Sequence, residues 1–341
     1  MAYRYPVGIL GAGAWGTALA QHLAGACGHK VLLWSYDKKA AKHINKKHEN
    51  TVFLAGVPLS EDITATTDAK EVLENCEMVI YASPSVNCNE MATILAPRLG
   101  ADQVLIISAK GFRDGDGALL SDVWMEANPN FKNIAVLSGP AFAHDLSRQK
   151  PVTATMASDL PEVIKRVDKL FSSSSLRLYY GKDIIGTQVG GALKNTIAIA
   201  AGVSDGLDMG DGFKAALICR GIVEMMRYSR SLGGERITLA GLSGVGDLVM
   251  TASEGSRNYK FGYLLGEGKT PDEAQKEVGA TIEGIAAAGI VTMQGVSRGI
   301  DMGVIMAIHG ILNGDLDPGR TYNLLLERPR VNEFDERDSL E

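Results

Sequence analysis

Val7-Gly8-Ile9-Leu10-Gly11-Ala12-Gly13-Ala14-Trp15-Gly16 joins a short apolar run to three spaced glycines, and the apolar positions continue through Leu19 and Leu23. A strand, a glycine turn and a helix in that order give each glycine a task. Gly11 makes the tight turn, Gly13 admits a pyrophosphate, and Gly16 lets helix pack on strand. The phosphates would lie on the N–H groups that open the helix. A tight turn with no ligand is the plainer alternative, and the spacing without its context would be a weak signal.

Outward from this turn the first half keeps one rhythm. Val31-Leu32-Leu33-Trp34, Met78-Val79-Ile80-Tyr81, Val104-Leu105-Ile106-Ile107 and Ala135-Val136-Leu137 read as buried parallel strands. Helix patterns fall between them, near 14–26, 38–48, 68–75, 87–97 and 116–127. Val152–Met156 and Leu176–Tyr180 read as two further strands around a helix at 160–171, with the serine run 172–175 as a loop. After residue 182 the strand pattern stops, and helices are expected at 184–203, 213–232, 247–253, 258–267 and 271–293. The fold class is therefore an α/β N-terminal domain with a doubly wound, mostly parallel sheet (Rossmann-like), followed by an all-α domain. The boundaries are 1–182 for dinucleotide binding and 183–341 for substrate and catalysis. The charged tail from Arg328 to Glu341 reads as frayed.

Composition narrows the function. At 341 residues, 45% hydrophobic and 22% charged, this is a globular chain of two ordinary domains. A formal charge of −6 offers no broad basic field for nucleic acid or a membrane surface, but leaves room for a local anion pocket. Cys27, Cys76, Cys88 and Cys219 form no CxxC pair and read as reduced packing residues, and the six histidines lack ligand spacing, so no metal is expected. The opening Met1-Ala2-Tyr3-Arg4-Tyr5-Pro6 runs straight into strand-like sequence without a signal-peptide pattern, which reads as cytoplasmic.

Between Asp183 and Asp205 there is one charged side chain, Lys194. Burying an ammonium is costly unless a carboxylate or bound anion compensates. Lys194 is thus half of an internal ion pair, or a catalytic acid/base, or a lysine whose stem lies on the core while its head reaches water. Gly186, Gly190, Gly191, Gly202 and Gly206 in the same interval suggest close backbone approach to a ligand or another helix. The stretch is about long enough to span a bilayer, yet its glycines, Gln188 and Lys194-Asn195 argue for a buried core helix. At the cofactor end, an NAD site wants a carboxylate just past the second strand. Asp37 comes late and has Lys38-Lys39 beside it, so NAD or NADP stays open with NADPH slightly favoured.

Further segments complete a pattern: Ala109-Lys110-Gly111, Gly139-Pro140-Ala141-Phe142-Ala143, Gly190–Asn195, Gly244-Val245-Gly246-Asp247-Leu248, Ser256-Arg257-Asn258 and Ile282-Glu283-Gly284. With the glycine turn they run in order over most of the chain, and the set resembles the NAD(P)-dependent sn-glycerol-3-phosphate dehydrogenases, most closely the bacterial type. The resemblance implies reversible reduction of dihydroxyacetone phosphate to sn-glycerol 3-phosphate, a glycerophospholipid precursor. It implies that Lys194 is the proton donor and acceptor, with Asn195 and Asp247 beside it. Lys110 would touch substrate and cofactor, Arg257 and Asn258 would hold the substrate phosphate, and Gly139, Ala141, Thr251 and Ser256 would line the substrate. Ala14, Trp15, Tyr36, Ala143, Thr281 and Glu283, together with Arg257, fall where the family touches the dinucleotide. A guanidinium suits a phosphate because it can grip two oxygens at once.

Plainer readings stand beside these. Asp247 could cap a helix, Arg257 could be a solvated loop charge, Glu283 an exposed helical one, and Arg220 pairs with Glu224 one turn on. His144 and Asp145 read as surface or structural. Ala141 stands where the family usually offers a hydroxyl, Asp208–Asp211 replaces a less acidic turn, and the match weakens beyond Gly284. Other two-domain dehydrogenases with a lysine–asparagine pair, acting on sugar acids or β-hydroxyacids, are the first alternative. A non-catalytic dinucleotide sensor is the second. A small phosphorylated substrate is expected, with no nucleic acid and no membrane insertion; a homodimer is left open.

Overall fold

Strand residues in the first half are apolar at successive positions because helices cover both faces of the sheet. Val7, Ile9, Leu33, Ile80 and Ile106 point into one core, and Leu10, Leu32, Val79, Tyr81, Leu105 and Ile107 into the other. The computed structural model describes residues 3–173 and 175–327, so the charged tail lies outside the described residues. The chain forms two compact units, Met1–Arg113 with Ala118–Ile184, and Asp114–Gly117 with Ile185–Glu341.

The first unit holds β1 (Tyr5–Leu10), β2 (Val31–Trp34), β3 (Glu49–Asn50), β4 (Leu54–Pro58), β5 (Ile63–Thr66), β6 (Cys76–Tyr81), β7 (Val104–Ile107), β8 (Ile134–Ser138), β9 (Val152–Ala157) and β10 (Leu176–Gly181). Its helices are α1 (Ala14–Gly25), α2 (Lys38–Lys47), α3 (Ala69–Asn75), α4 (Cys88–Leu95), α5 (Leu120–Ala127), α6 (Ala143–Ser147) and α7 (Pro161–Leu170). Eight strands make one sheet in the order β10-β9-β8-β7-β6-β1-β2-β5. All neighbours are parallel except β8 and β9, which run antiparallel. The strand order reverses between β1 and β6, so the glycine turn after β1 lies at the crevice where such sheets bind ligands.

The doubly wound sheet is as expected, with three strands that the sequence reading passed over. β5 extends the sheet at its β2 edge, and β3 and β4 form a separate hairpin. Both are short and half-exposed, so neither shows an apolar run.

The second unit is helical: α8 (Ile184–Gly206), α9 (Asp211–Ser231), α10 (Asp247–Thr251), α11 (Arg257–Gly266), α12 (Pro271–Val278), α13 (Glu283–Arg298), α14 (Gly303–Leu312) and α15 (Pro318–Glu327). The helix expected over 271–293 is two helices. Thr270 caps α12 in a reciprocal capping box with Glu273, and Gly279, at φ 65°, ends it. The helix expected at 87–97 shortens to α4, flanked by 3₁₀ turns, and α5 starts at Leu120 rather than 116.

α8 is buried on every side from Gly186 to Ser204, which is why its sequence has no polar face. Its glycines meet another helix. A Cβ on Gly202 would lie 2.1 Å from Tyr259 O, and one on Gly262 2.1 Å from Ile199 O, so α8 and α11 touch backbone to backbone. Gly206 and Gly266 extend the seam, against Tyr263 O and Val203 O. No helix among the described residues is long and apolar enough to cross a membrane. Cys76 and Cys88 are buried packing residues, but Cys219 is exposed on α9 and does not fit that reading.

α1 carries a pH-sensitive brace at its far end. His22 is fully buried, with Nε2 3.1 Å from Ser173 Oγ and its ring stacked on Phe171. Burial lowers its pKa to about 4. Below about pH 6.5 the unfolded chain binds a proton there that the folded chain does not, so folding stability rises with pH across that window and falls as pH drops towards 4. The expected loss is roughly 3 kcal/mol between pH 7 and 4. Urea midpoints of the native chain and of His22→Gln check it: the native midpoint should fall more steeply with acid, and parallel pH profiles would remove His22 as the cause.

Candidate functional site

In the first unit the glycine turn has the geometry its spacing suggests. Gly11 adopts φ 127°, and a Cβ there would lie 2.8 Å from Ser83 N at the end of β6. A Cβ on Gly16 would lie 1.9 Å from Gly11 O, so α1 packs against the turn itself. At Gly13 the same test meets nothing within 4 Å. Gly13 is also the N-cap of α1, with no side-chain cap and no acidic residue in the first turn. These are the conditions for an anion on a helix N-terminus, and they fit a dinucleotide pyrophosphate. Ala14 is exposed beside it, and Trp15 is half-buried with its Nε1 lacking a hydrogen-bond partner.

Past β2 the strand ends in Ser35, whose Oγ donates to Asp37 O at 3.1 Å. Asp37 is a helix cap: its Oδ1 accepts from Lys39 N at 2.7 Å and Ala40 N at 3.0 Å. Lys38 and Lys39 are exposed at the start of α2. Tyr36 is 74% exposed and its ring lies 6.2 Å from that of Phe53, on the β3–β4 turn. Lys110, after β7, reaches Gly139 O after β8 at 3.4 Å. Ala141 and Ala143 are half-buried around exposed Phe142. His144 is exposed and Asp145 pairs with Lys150 at 2.6 Å, a surface arrangement.

In the second unit Lys194 is 6% exposed, so it is a buried lysine and not one laid along the surface. The ammonium donates to Asp247 and, at 2.9 Å, to Thr251 Oγ1. Asp247 is fully buried at the start of α10, just after a π-helical turn at Leu242–Gly246, and no side chain caps that helix. A widened turn of this kind aims a side chain that a regular helix would direct elsewhere. Gly190 permits the approach: a Cβ there would lie 2.3 Å from Ser243 O.

Beside this pair runs a chain of amides. Asn195 Nδ2 donates to Glu283 Oε2 at 2.9 Å, Asn258 Nδ2 donates to Asn195 Oδ1 at 3.1 Å, and Asn258 Oδ1 accepts from Gly284 N at 3.1 Å. Six expected residues thus fall into two bonded groups that meet at adjacent positions of α8: Lys194 with Asp247 and Thr251, and Asn195 with Asn258 and Glu283. Ser256 caps α11, and Arg257, its first residue, is exposed and engages no carboxylate among the described residues. Thr281 is exposed in the turn before α13. Glu224, expected to pair with Arg220, receives Val304 N at 2.7 Å and Ile305 N at 3.0 Å, capping α14. The sequence reading passed over Phe53 and Asn50. Asn50 is a buried residue whose amide donates to Ala12 O and Thr17 Oγ1; among ordinary turn residues, no sequence signal marks it.

Models of the N-terminus and of the C-terminus of NAD-dependent glycerol-3-phosphate dehydrogenase match residues 6–164 and 183–323. The chain belongs to that family. A protein of Rhodospirillum rubrum named glycerol-3-phosphate dehydrogenase (NAD(P)+) is 39% identical over 324 residues, 95% of this chain and 92% of its own. One of the same name from Thioalkalivibrio sulfidiphilus is 40% identical, over 96% of this chain and 99% of its own. The crystal structure of a glycerol-3-phosphate dehydrogenase from Coxiella burnetii superposes with a TM-score of 0.90 at 37% identity, covering 95% of this chain and 99% of that one. As members of the glycerol-3-phosphate dehydrogenase family, both units of the chain are accounted for by one pair of models rather than by two unrelated modules.

Proposed function

We propose that this glycerol-3-phosphate dehydrogenase catalyses the reversible NAD(P)H-dependent reduction of dihydroxyacetone phosphate to sn-glycerol 3-phosphate, feeding glycerophospholipid synthesis. The observation that carries the chemistry is the buried Lys194 ammonium held by Asp247 and Thr251. A bound nicotinamide dinucleotide supplies or accepts the hydride at the carbonyl carbon. Lys194 gives the proton to the carbonyl oxygen as it becomes an alkoxide, and its charge stabilises the charge that develops there. Asp247 and Thr251 aim the ammonium, and Asn195 is fixed beside it by Glu283 and Asn258.

Arg257 holds the substrate phosphate at the positive end of α11, where a guanidinium and a helix N-terminus act on one anion. Lys110, which reaches Gly139 O, is a contact for substrate and cofactor. Residues 1–182 are the dinucleotide domain and 183–341 the substrate domain. The four unpaired cysteines suit a reducing cytoplasm. The deciding assay follows nicotinamide absorbance on adding dihydroxyacetone phosphate, once with NADH and once with NADPH. Turnover of a β-hydroxyacid or sugar acid without turnover of the phosphate ester would sink this reading.

NADPH is the modestly preferred cofactor. Asp37 spends its Oδ1 on the α2 cap, Ser35 rather than an acid ends β2, and Lys38 and Lys39 stand exposed at a helix start. Lys38→Glu with Lys39→Glu should raise KM for NADPH about tenfold and move that for NADH little. Equal changes for both cofactors would put these lysines outside the adenosine pocket.

A further inference from the structure

We infer that Asn50 is a positioning residue for the dinucleotide: it sets the direction of the Ala12–Gly13 peptide. The inference rests on reading the glycine turn as the pyrophosphate cradle. Asn50 comes from β3, outside the main sheet, and is fully buried. Its Nδ2 donates to Ala12 O at 2.9 Å and to Thr17 Oγ1 at 2.8 Å, and Thr17 Oγ1 donates to the same Ala12 carbonyl at 3.2 Å. One carbonyl of the turn is thus held by two buried side chains, one from each flank.

A trans peptide is planar, with its C=O and N–H pointing in opposite directions. Holding Ala12 O in the interior turns the Gly13 N–H outward, to the side where a cofactor phosphate would cap α1. The turn's own backbone does not enforce this, since no main-chain N–H among the described residues bonds the Ala12 carbonyl. Gly13 tolerates either sign of φ, so the peptide before it can flip at little cost, and a flip would present a carbonyl oxygen to the phosphate. The Asn50–Thr17 clamp removes that alternative before any ligand arrives, which is how pre-organisation raises affinity.

The same amide reaches the other end of the cofactor site. Asn50 Oδ1 accepts from Phe53 N at 3.2 Å, and the Phe53 ring lies 6.2 Å from that of Tyr36. A single side chain therefore ties the pyrophosphate turn to the aromatic pair past β2. Its donors go to the turn and its acceptor goes to the hairpin, so aspartate, of nearly the same shape, cannot replace it.

The test compares dissociation constants for NADPH and for ADP-ribose, which keeps the pyrophosphate but lacks the nicotinamide. Asn50→Ala should weaken both by about tenfold, and Asn50→Asp by more, since it sets an acceptor against the Ala12 carbonyl. At saturating cofactor kcat should stay within about twofold, and KM for dihydroxyacetone phosphate should hold. Thr17→Val removes the second donor to that carbonyl and should weaken both ligands in the same direction, so the test survives if an Asn50 variant does not fold. Variants that lose thermal stability but bind both ligands as the native chain does would overturn the proposal, leaving Asn50 as a fold brace. A native chain that binds neither ligand would overturn the cradle reading itself.

Discussion

Lys194→Ala should lower kcat by about four orders of magnitude while leaving the affinity for NADPH nearly unchanged. Loss of a general acid typically costs about 10²–10⁴-fold, and loss of its charge beside a developing alkoxide adds to that. The affinity should hold because the glycine turn and α1 belong to the other unit. The substitution has a second effect. It breaks the ion pair that Lys194 makes with the fully buried Asp247, and breaking a buried pair costs roughly 3–5 kcal/mol of stability in comparable sites. Thermal melting should therefore fall as well. Lys194→Met combined with Asp247→Asn removes both charges and should recover most of the stability but none of the turnover. Steady-state rates, cofactor titration and melting curves on the two variants separate the effects. A Lys194→Ala chain keeping more than about a tenth of native kcat would take this lysine out of the mechanism.

Arg257→Ala should cut kcat/KM for dihydroxyacetone phosphate by about 10²-fold or more. Hydrogen bonds to charged groups contribute roughly 1.5–3 kcal/mol each, and a guanidinium can make two to one phosphate. Here the side chain is exposed at the first position of α11 and engages no carboxylate among the described residues, so its loss should leave the melting temperature almost unmoved. Activity on unphosphorylated dihydroxyacetone, which has nothing for Arg257 to hold, should barely change. Rates on the two substrates, measured side by side, decide the matter. Equal losses on both would make Arg257 a residue of the fold or the cofactor site, and the phosphate grip would then be sought at Lys110.

The sheet was legible because covering it on both faces leaves an unbroken apolar run at each central strand. That logic fails at the edges. Ile63-Thr64-Ala65-Thr66 alternates buried and open positions over four residues, and Glu49-Asn50 is too short to carry any pattern. The break at Gly279 was written in plain signals, a capped Thr270-Pro271 start and a glycine stop, yet the apolar periodicity on either side masked it. At the site, Lys194 stood out because one charge in an apolar helix is costly. Its partner did not stand out: Asp247 lies 53 residues away, and only the resemblance linked them. The amide chain through Asn195 and Asn258 was invisible for a different reason. An asparagine carries no charge whose burial would be anomalous, so its neighbours alone reveal what it does.

The glycine seam between α8 and α11 makes the spacing of these two helices a property of the main chain. α8 carries the proposed acid, and α11 begins with the proposed phosphate grip. Where these helices meet at Gly202 and Gly262 no side chain intervenes, so there is nothing to trim, swap or rotate that would let them slide or separate. On the proposed roles of Lys194 and Arg257, the spacing between proton donor and phosphate grip is set by two touching backbones. Substitutions in the side chains around that proposed site would then alter its walls and leave this spacing as it is.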